Sequence, residues 1–115
     1  MIAQVSPAHF AAWRDAAHLT PVVLDVREPW EWQTASVAPD GFTLLHVPMQ
    51  SLPKRLADLQ ASYGADQPIA CLCHHGMRSQ QVASYLVQHG FTEVVNLQGG
   101  IAAWSEQLDS GVPQY

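Results

Sequence analysis

Residues 69–84 read Ile-Ala-Cys-Leu-Cys-His-His-Gly-Met-Arg-Ser-Gln-Gln-Val-Ala-Ser. The apolar run Ile69 to Leu72 has the length and content of a buried strand. It delivers Cys73 to a short turn, Cys73-His74-His75-Gly76-Met77-Arg78. Ser79 or a neighbour then opens a helix, because Val82, Ala83, Leu86 and Val87 recur at helical spacing. A thiol at a strand end, just ahead of a helix start, sits where backbone N–H groups and the positive helix end converge. Such a place favours thiolate over thiol and holds an anion against it. Arg78 adds an always-ionised planar donor fork. The stretch reads as a nucleophile site.

Working outward, strands and helices alternate. Val22-Val23-Leu24-Asp25-Val26 is an apolar run with one carboxylate, the pattern of a strand buried in a parallel sheet. Thr43 to Val47 and Glu93 to Leu97 read as further strands. Ser6-Pro7 starts a first helix that carries Phe10, Trp13 and Ala17 on one face and ends near His18. Pro29 opens a short helix through Trp30, Trp32 and Thr34, and residues 35–42 form a loop. Leu52, Leu56 and Leu59 mark another helix, closed by Tyr63-Gly64. His89-Gly90 ends the helix after the cysteine turn. Gly99-Gly100 leads into a last helix, Ile101 to about Leu108. This order predicts one α/β domain over residues 1–115, with a mainly parallel central sheet flanked by helices. Ligands of such sheets bind beyond the carboxyl ends of the strands. Asp25, Cys73 and Gln98-Gly99-Gly100 are therefore expected on one edge.

Composition narrows the function. The chain has 115 residues, 48% hydrophobic and 13% charged, which is globular rather than disordered. A formal net charge of −5 argues against nucleic acid or an anionic membrane as partner. An anionic substrate must then be drawn in by a local field near Arg78. No apolar run reaches the length of a membrane span, and no signal peptide is evident. Two cysteines two residues apart make no disulfide framework, so a reducing cytoplasm is expected. Cys71 reads as a small buried hydrophobe and Cys73 as the reactive thiol.

The chain resembles a single rhodanese domain, the sulfurtransferase module, in three separated pieces. These are Val23-Leu24-Asp25-Val26-Arg27-Glu28 with Trp30-Glu31-Trp32 behind it, Cys73 to Ser79, and Val95-Asn96-Leu97-Gln98-Gly99-Gly100-Ile101-Ala102-Ala103-Trp104. It departs from the family after Trp32. A Gly-His-Ile-Pro-Gly-Ala-like turn is usual there, and this chain has Ala35-Ser36-Val37-Ala38-Pro39-Asp40-Gly41-Phe42.

The resemblance implies a two-step exchange through a persulfide on Cys73, with His74, His75, Gly76, Met77 and Arg78 binding substrate. The donor would be thiosulfate or a persulfide. The acceptor would be cyanide or a thiol, including a thiol on a protein. No cofactor or metal is called for. A free thiol, with a pKa of about 8.5, needs lowering for such ping-pong chemistry, and loop N–H groups with Arg78 would supply that. The same donors would hold a charged outer sulfur as an oxyanion hole does. Four residues separate Cys73 from Arg78, whereas cysteine phosphatases and arsenate reductases resemble a longer loop with five. The tighter cradle suits one sulfur atom over a phosphoryl group.

Several residues keep two readings. His74 and His75 either tune the loop's charge near neutral pH or face water. Met77 is either an apolar lip or simple packing. Asp25 and Arg27 either brace the active loop or form an ordinary strand-end pair. For the whole chain, one alternative is a carrier that holds a persulfide for one protein partner. Another is a redox sensor in which Cys71 resolves an oxidised Cys73.

Overall fold

The computed structural model describes residues 2–115. Five parallel strands form one sheet: β1 (Ala3–Val5), β2 (Val22–Asp25), β3 (Thr43–His46), β4 (Ile69–Leu72) and β5 (Val94–Leu97), in the order β1-β5-β4-β2-β3. Five helices connect and flank them: α1 (Pro7–Ala16), α2 (Pro29–Thr34), α3 (Leu52–Ser62), α4 (Met77–Gln88) and α5 (Gly100–Gln107). The expected α/β class with a parallel sheet is what forms. Among these helices none is long and apolar enough to cross a membrane.

Side-chain alternation along the strands splits the core in two. Val22, Leu24, Ile69, Cys71 and Cys73 point to one face, where Leu52 and Leu59 of α3 and Val82, Ala83 and Leu86 of α4 cover them. Val23, Ala70, Leu72, Val95 and Leu97 point to the other, under Phe10 of α1 and Ile101 and Trp104 of α5. Burial on both faces explains why β2, β4 and β5 read as continuous apolar runs. Cys71 and Cys73 share the first face.

Three details differ from the sequence reading. Strand β1 was not expected; only three residues long, it carries too little pattern to register, and pairing with β5 makes it a strand. Helix α1 stops at Ala16 rather than near His18, and the Ser6 hydroxyl bonds His9 Nδ1 instead of a backbone amide. Helix α4 begins at Met77, two residues before Ser79, because Gly76 supplies the left-handed turn at its cap. The atypical residues 35–42 turn Ala35, Val37 and Phe42 into the second core, with Phe42 edge-on to Phe10 at 5.4 Å.

After β2 the chain moves to the β3 edge, then crosses back to place β4 on the other side of β2. The direction of winding therefore switches between β2 and β4. In open α/β sheets the crevice beyond the strands' carboxyl ends at such a switch is where ligands bind. Asp25 ends β2, and Cys73 follows β4.

Candidate active site

Cys73 leaves β4 into a loop gripped from two sides. The amides of Ile101 and Ala102, at the start of α5, donate to the carbonyls of Cys73 and His74 at 2.8 and 3.1 Å. Only glycine permits that approach: a Cβ on Gly100 would lie 2.5 Å from the Cys73 carbonyl oxygen and 2.4 Å from that of His74, and its φ is +62°. The Gly99-Gly100 pair thus seats α5 against the loop. From the other side α4 begins at Met77, with Gly76 at φ +104° as its cap.

The sulfur of Cys73 lies within hydrogen-bond reach of two donors. The Gly76 amide donates at 3.0 Å and the Ser79 hydroxyl lies at 3.2 Å. The expected ring of amides is, at the sulfur itself, one amide and one hydroxyl. Cys73 is 1% exposed. Behind Ser79, the buried Asn96 accepts from its hydroxyl and donates through Nδ2 to the Gly76 carbonyl at 3.0 Å and to Gln4 Oε1 at 3.0 Å. Asn96 therefore fixes both groups that touch the sulfur.

The Arg78 guanidinium grips the Glu31 carboxylate in two bonds, of 2.6 and 2.9 Å. Glu31 also accepts from the Glu28 amide at 3.1 Å and the Tyr115 hydroxyl at 2.6 Å. The hydrogen bonds from Arg78 are the largest cause holding its carboxyl down at about 2, and those from Tyr115 and Glu28 add to them against the opposing effect of burial. The same pairing raises Arg78 above its ordinary value. The arginine expected to await an anion already holds one.

Arg27 is fully buried and locked on Asp25 by Nε at 2.9 Å and Nη2 at 2.7 Å. It also donates to the carbonyls of Glu31 and Ala35 and to the Tyr115 hydroxyl. Burial is the largest influence and pushes its value down, but the bonds to Asp25 and Tyr115 more than offset it. The Asp25–Arg27 pair thus braces α2, the following loop and the tail.

The remaining loop residues form a rim. His74 lies between two rings, His75 and Tyr115, each with its centroid 3.9 Å away. Burial, then repulsion from His75, holds His74 below the ordinary histidine value. His75 is exposed and Met77 is 78% exposed, so Met77 is not core packing. Cys71 is fully buried, and burial pushes its thiol well above the usual range. Among the described residues no cluster of His, Cys, Asp or Glu is placed to hold a metal.

Sequence reasoning gave no role to Glu31, Ser79, Asn96 or Tyr115. Two left a signal. Glu31 stands three residues after Glu28 across a helix start, the spacing of a capping box. Asn96 is the one polar residue of β5, and a polar group so placed must be paired. Ser79 left only its place beside Arg78, and Tyr115 left none.

Comparison with known proteins bears on the family and the fold. Residues 6–107 match the rhodanese-like domain family. The chain is 32% identical over 109 residues to the thiosulfate sulfurtransferase GlpE of Stutzerimonas stutzeri, covering 95% of this chain and 90% of that protein. It is 38% identical over 88 residues to GlpE of Vibrio cholerae, covering 76% and 72%. Among solved structures, a rhodanese-like domain protein from Staphylococcus aureus shares the fold at a TM-score of 0.74, 22% identity and 99% of both chains. A rhodanese-related protein from Thermoplasma volcanium gives 0.70 at 27% identity, over 92% and 93%. With its family match spanning α1 to α5 and relatives named as thiosulfate sulfurtransferases over most of its length, the chain belongs to the rhodanese-like family.

Proposed function

We propose that this protein is a sulfurtransferase that carries a sulfane sulfur as a persulfide on Cys73. In the first step the Cys73 thiolate attacks the outer sulfur of thiosulfate, the S–S bond breaks, and sulfite leaves with the bonding pair. In the second, a thiolate or cyanide attacks the outer sulfur of the persulfide, and the pair returns to Cys73. Both steps need a sulfur that bears negative charge without being hydrated. The observation that carries this reading is the Gly76 amide aimed at Cys73 Sγ from 3.0 Å, at the positive end of the twelve-residue helix α4. The four residues between Cys73 and Arg78, one fewer than in the longer phosphatase-type loop, favour one sulfur atom over a phosphoryl group.

The rim residues take separate roles. Gly76 supplies the amide, while His75 and Met77 line the mouth through which donor and acceptor arrive. His74 holds the first turn of the loop. Arg78, already paired with Glu31, braces the loop on α2, and the donor's anion is met by loop amides and the helix end. A reducing compartment, the cytoplasm, keeps such a thiol free. The test is thiocyanate formation from thiosulfate and cyanide: Cys73→Ser removes it, and Cys71→Ala keeps most of it. Equal loss in both variants overturns the assignment.

A second reading is favoured by the same Arg78–Glu31 pair. A loop whose own arginine is neutralised attracts a free dianion weakly, which suits a carrier loaded by a persulfide on a protein partner. Such a carrier takes sulfur from a protein persulfide far faster than from thiosulfate. Equal rates would leave the first reading alone.

A further inference from the structure

Tyr115 lies outside the span matched by the family, yet its hydroxyl joins Arg27 and Glu31 beneath the active loop. Its ring is parallel to that of His74 within 7° at 3.9 Å. His75 stacks on His74 at the same distance, and two rings so near and so nearly parallel must take opposite faces. The Tyr115 hydroxyl donates to Glu31 Oε2 at 2.6 Å and accepts from Arg27 Nη1 at 2.9 Å. Burial, with the Glu31 bond behind it, raises the phenol to about 12, so it stays protonated and able to donate. Trp30 stands edge-on to the ring at 6.1 Å, outside the stack.

We propose that Tyr115 is a positioning residue of the active loop: its ring seals one face of His74 while its hydroxyl bridges the Glu31–Arg78 and Asp25–Arg27 pairs. The tail thereby clasps the loop and sets which charge the donor meets there. A sealed imidazole stays neutral in the range where an open one gains a proton. Besides burial, the groups acting on His74 are His75, which lowers its value, the Tyr115 backbone and Glu31 of α2, which raise it, and Arg78 at the start of α4, which lowers it. Arg78 and Glu31 pair with one another, so protonating His74 adds an uncompensated positive charge to the active loop. That charge would favour a dianionic donor.

The proposal rests on the Cys73 loop being the reacting site, but its first readout does not. In an NMR titration of the full chain, His74 in the wild type and in Tyr115→Phe is expected to titrate below the ordinary histidine value. In Tyr115→Ala it is expected near about 6.5. With thiosulfate, lowering the pH from 8 to 6 is expected to reduce KM about threefold more in Tyr115→Ala than in wild type, with kcat little changed. Adding His74→Phe to Tyr115→Ala is expected to abolish that extra pH dependence. An unchanged His74 titration in a folded Tyr115→Ala overturns the proposal, as does a Tyr115→Phe variant that behaves like Tyr115→Ala. Should no variant turn over thiosulfate, the titration alone decides about Tyr115, and the sulfurtransferase reading fails separately.

Discussion

Ser79 Oγ lies 3.2 Å from Cys73 Sγ and has one proton for two acceptors, that sulfur and Asn96 Oδ1. The orientation of Asn96 is set by its Nδ2, which donates to the fixed Gly76 carbonyl. While Cys73 carries its proton, the Ser79 hydroxyl serves Asn96; once the sulfur is charged, the hydroxyl can turn to it. Ser79→Ala removes that option. Persulfide formation from thiosulfate at pH 7 should slow about tenfold, the worth of one hydrogen bond to a charged group. Stopped-flow or quenched mass measurement gives the rate, and an unchanged rate would make Ser79 merely structural.

Gly100 should tolerate no side chain. Gly100→Ala places a Cβ within 2.6 Å of three backbone atoms of Cys73 and His74. Either the α5 clamp or the loop must move, and activity should fall about a hundredfold or more, since a displacement of about 1 Å at a reacting group costs that much. Gly90→Ala is the control. Its φ is also positive, at +101°, but a Cβ there meets nothing within 4 Å, so it should cost about 1 kcal/mol of stability and leave activity intact. Thermal melts beside turnover separate the two.

Glu31 ties stability to pH. Its carboxyl is held at about 2 against an ordinary 4.5, so its stabilisation is complete above about pH 4.5 and is lost as pH falls toward 2. Glu31→Gln should cost about 3 kcal/mol at pH 7, as breaking a buried pair does, and the gap to wild type should close through that acid window. Urea titrations at several pH values check this. A constant gap would mean that packing rather than charge holds Glu31.

Cys71 should be silent in catalysis. Its thiol is sealed under α3 and α4 and pushed up by burial, so it neither competes for the donor nor readily resolves an oxidised Cys73. Cys71→Ala should lower the melting temperature by a few degrees while keeping persulfide formation within about twofold. Mild peroxide followed by mass analysis should show no Cys71–Cys73 disulfide.

Much of the fold was legible because β2, β4 and β5 are buried on both faces, and double burial writes itself as unbroken apolar runs. Strand β1 was not, since three residues at a sheet edge need β5 beside them to become a strand. The loop between β4 and α4 was readable from Cys73, Gly76 and Arg78 in one short stretch. Arg78's partner was not: Glu31 is 47 residues away in sequence, and only the docking of α2 beside the loop turns a free cation into half of a pair. Tyr115 was illegible for the same reason, as the contacts it makes span 41 to 88 residues of chain. The loop at 35–42 looked anomalous as a motif and is ordinary as packing, because Val37 and Phe42 fill the core under α1 and α5.

The central claim is that Cys73 accepts and holds the transferred sulfur. The most direct measurement is the intact mass of the purified protein after thiosulfate treatment, followed by peptide mapping and a parallel sample of Cys73→Ser. One added sulfur atom is expected, located on Cys73, lost on addition of cyanide or a thiol and absent from the variant. A protein that gains no sulfur from thiosulfate or from a persulfide donor, or that carries it on Cys71, would contradict it.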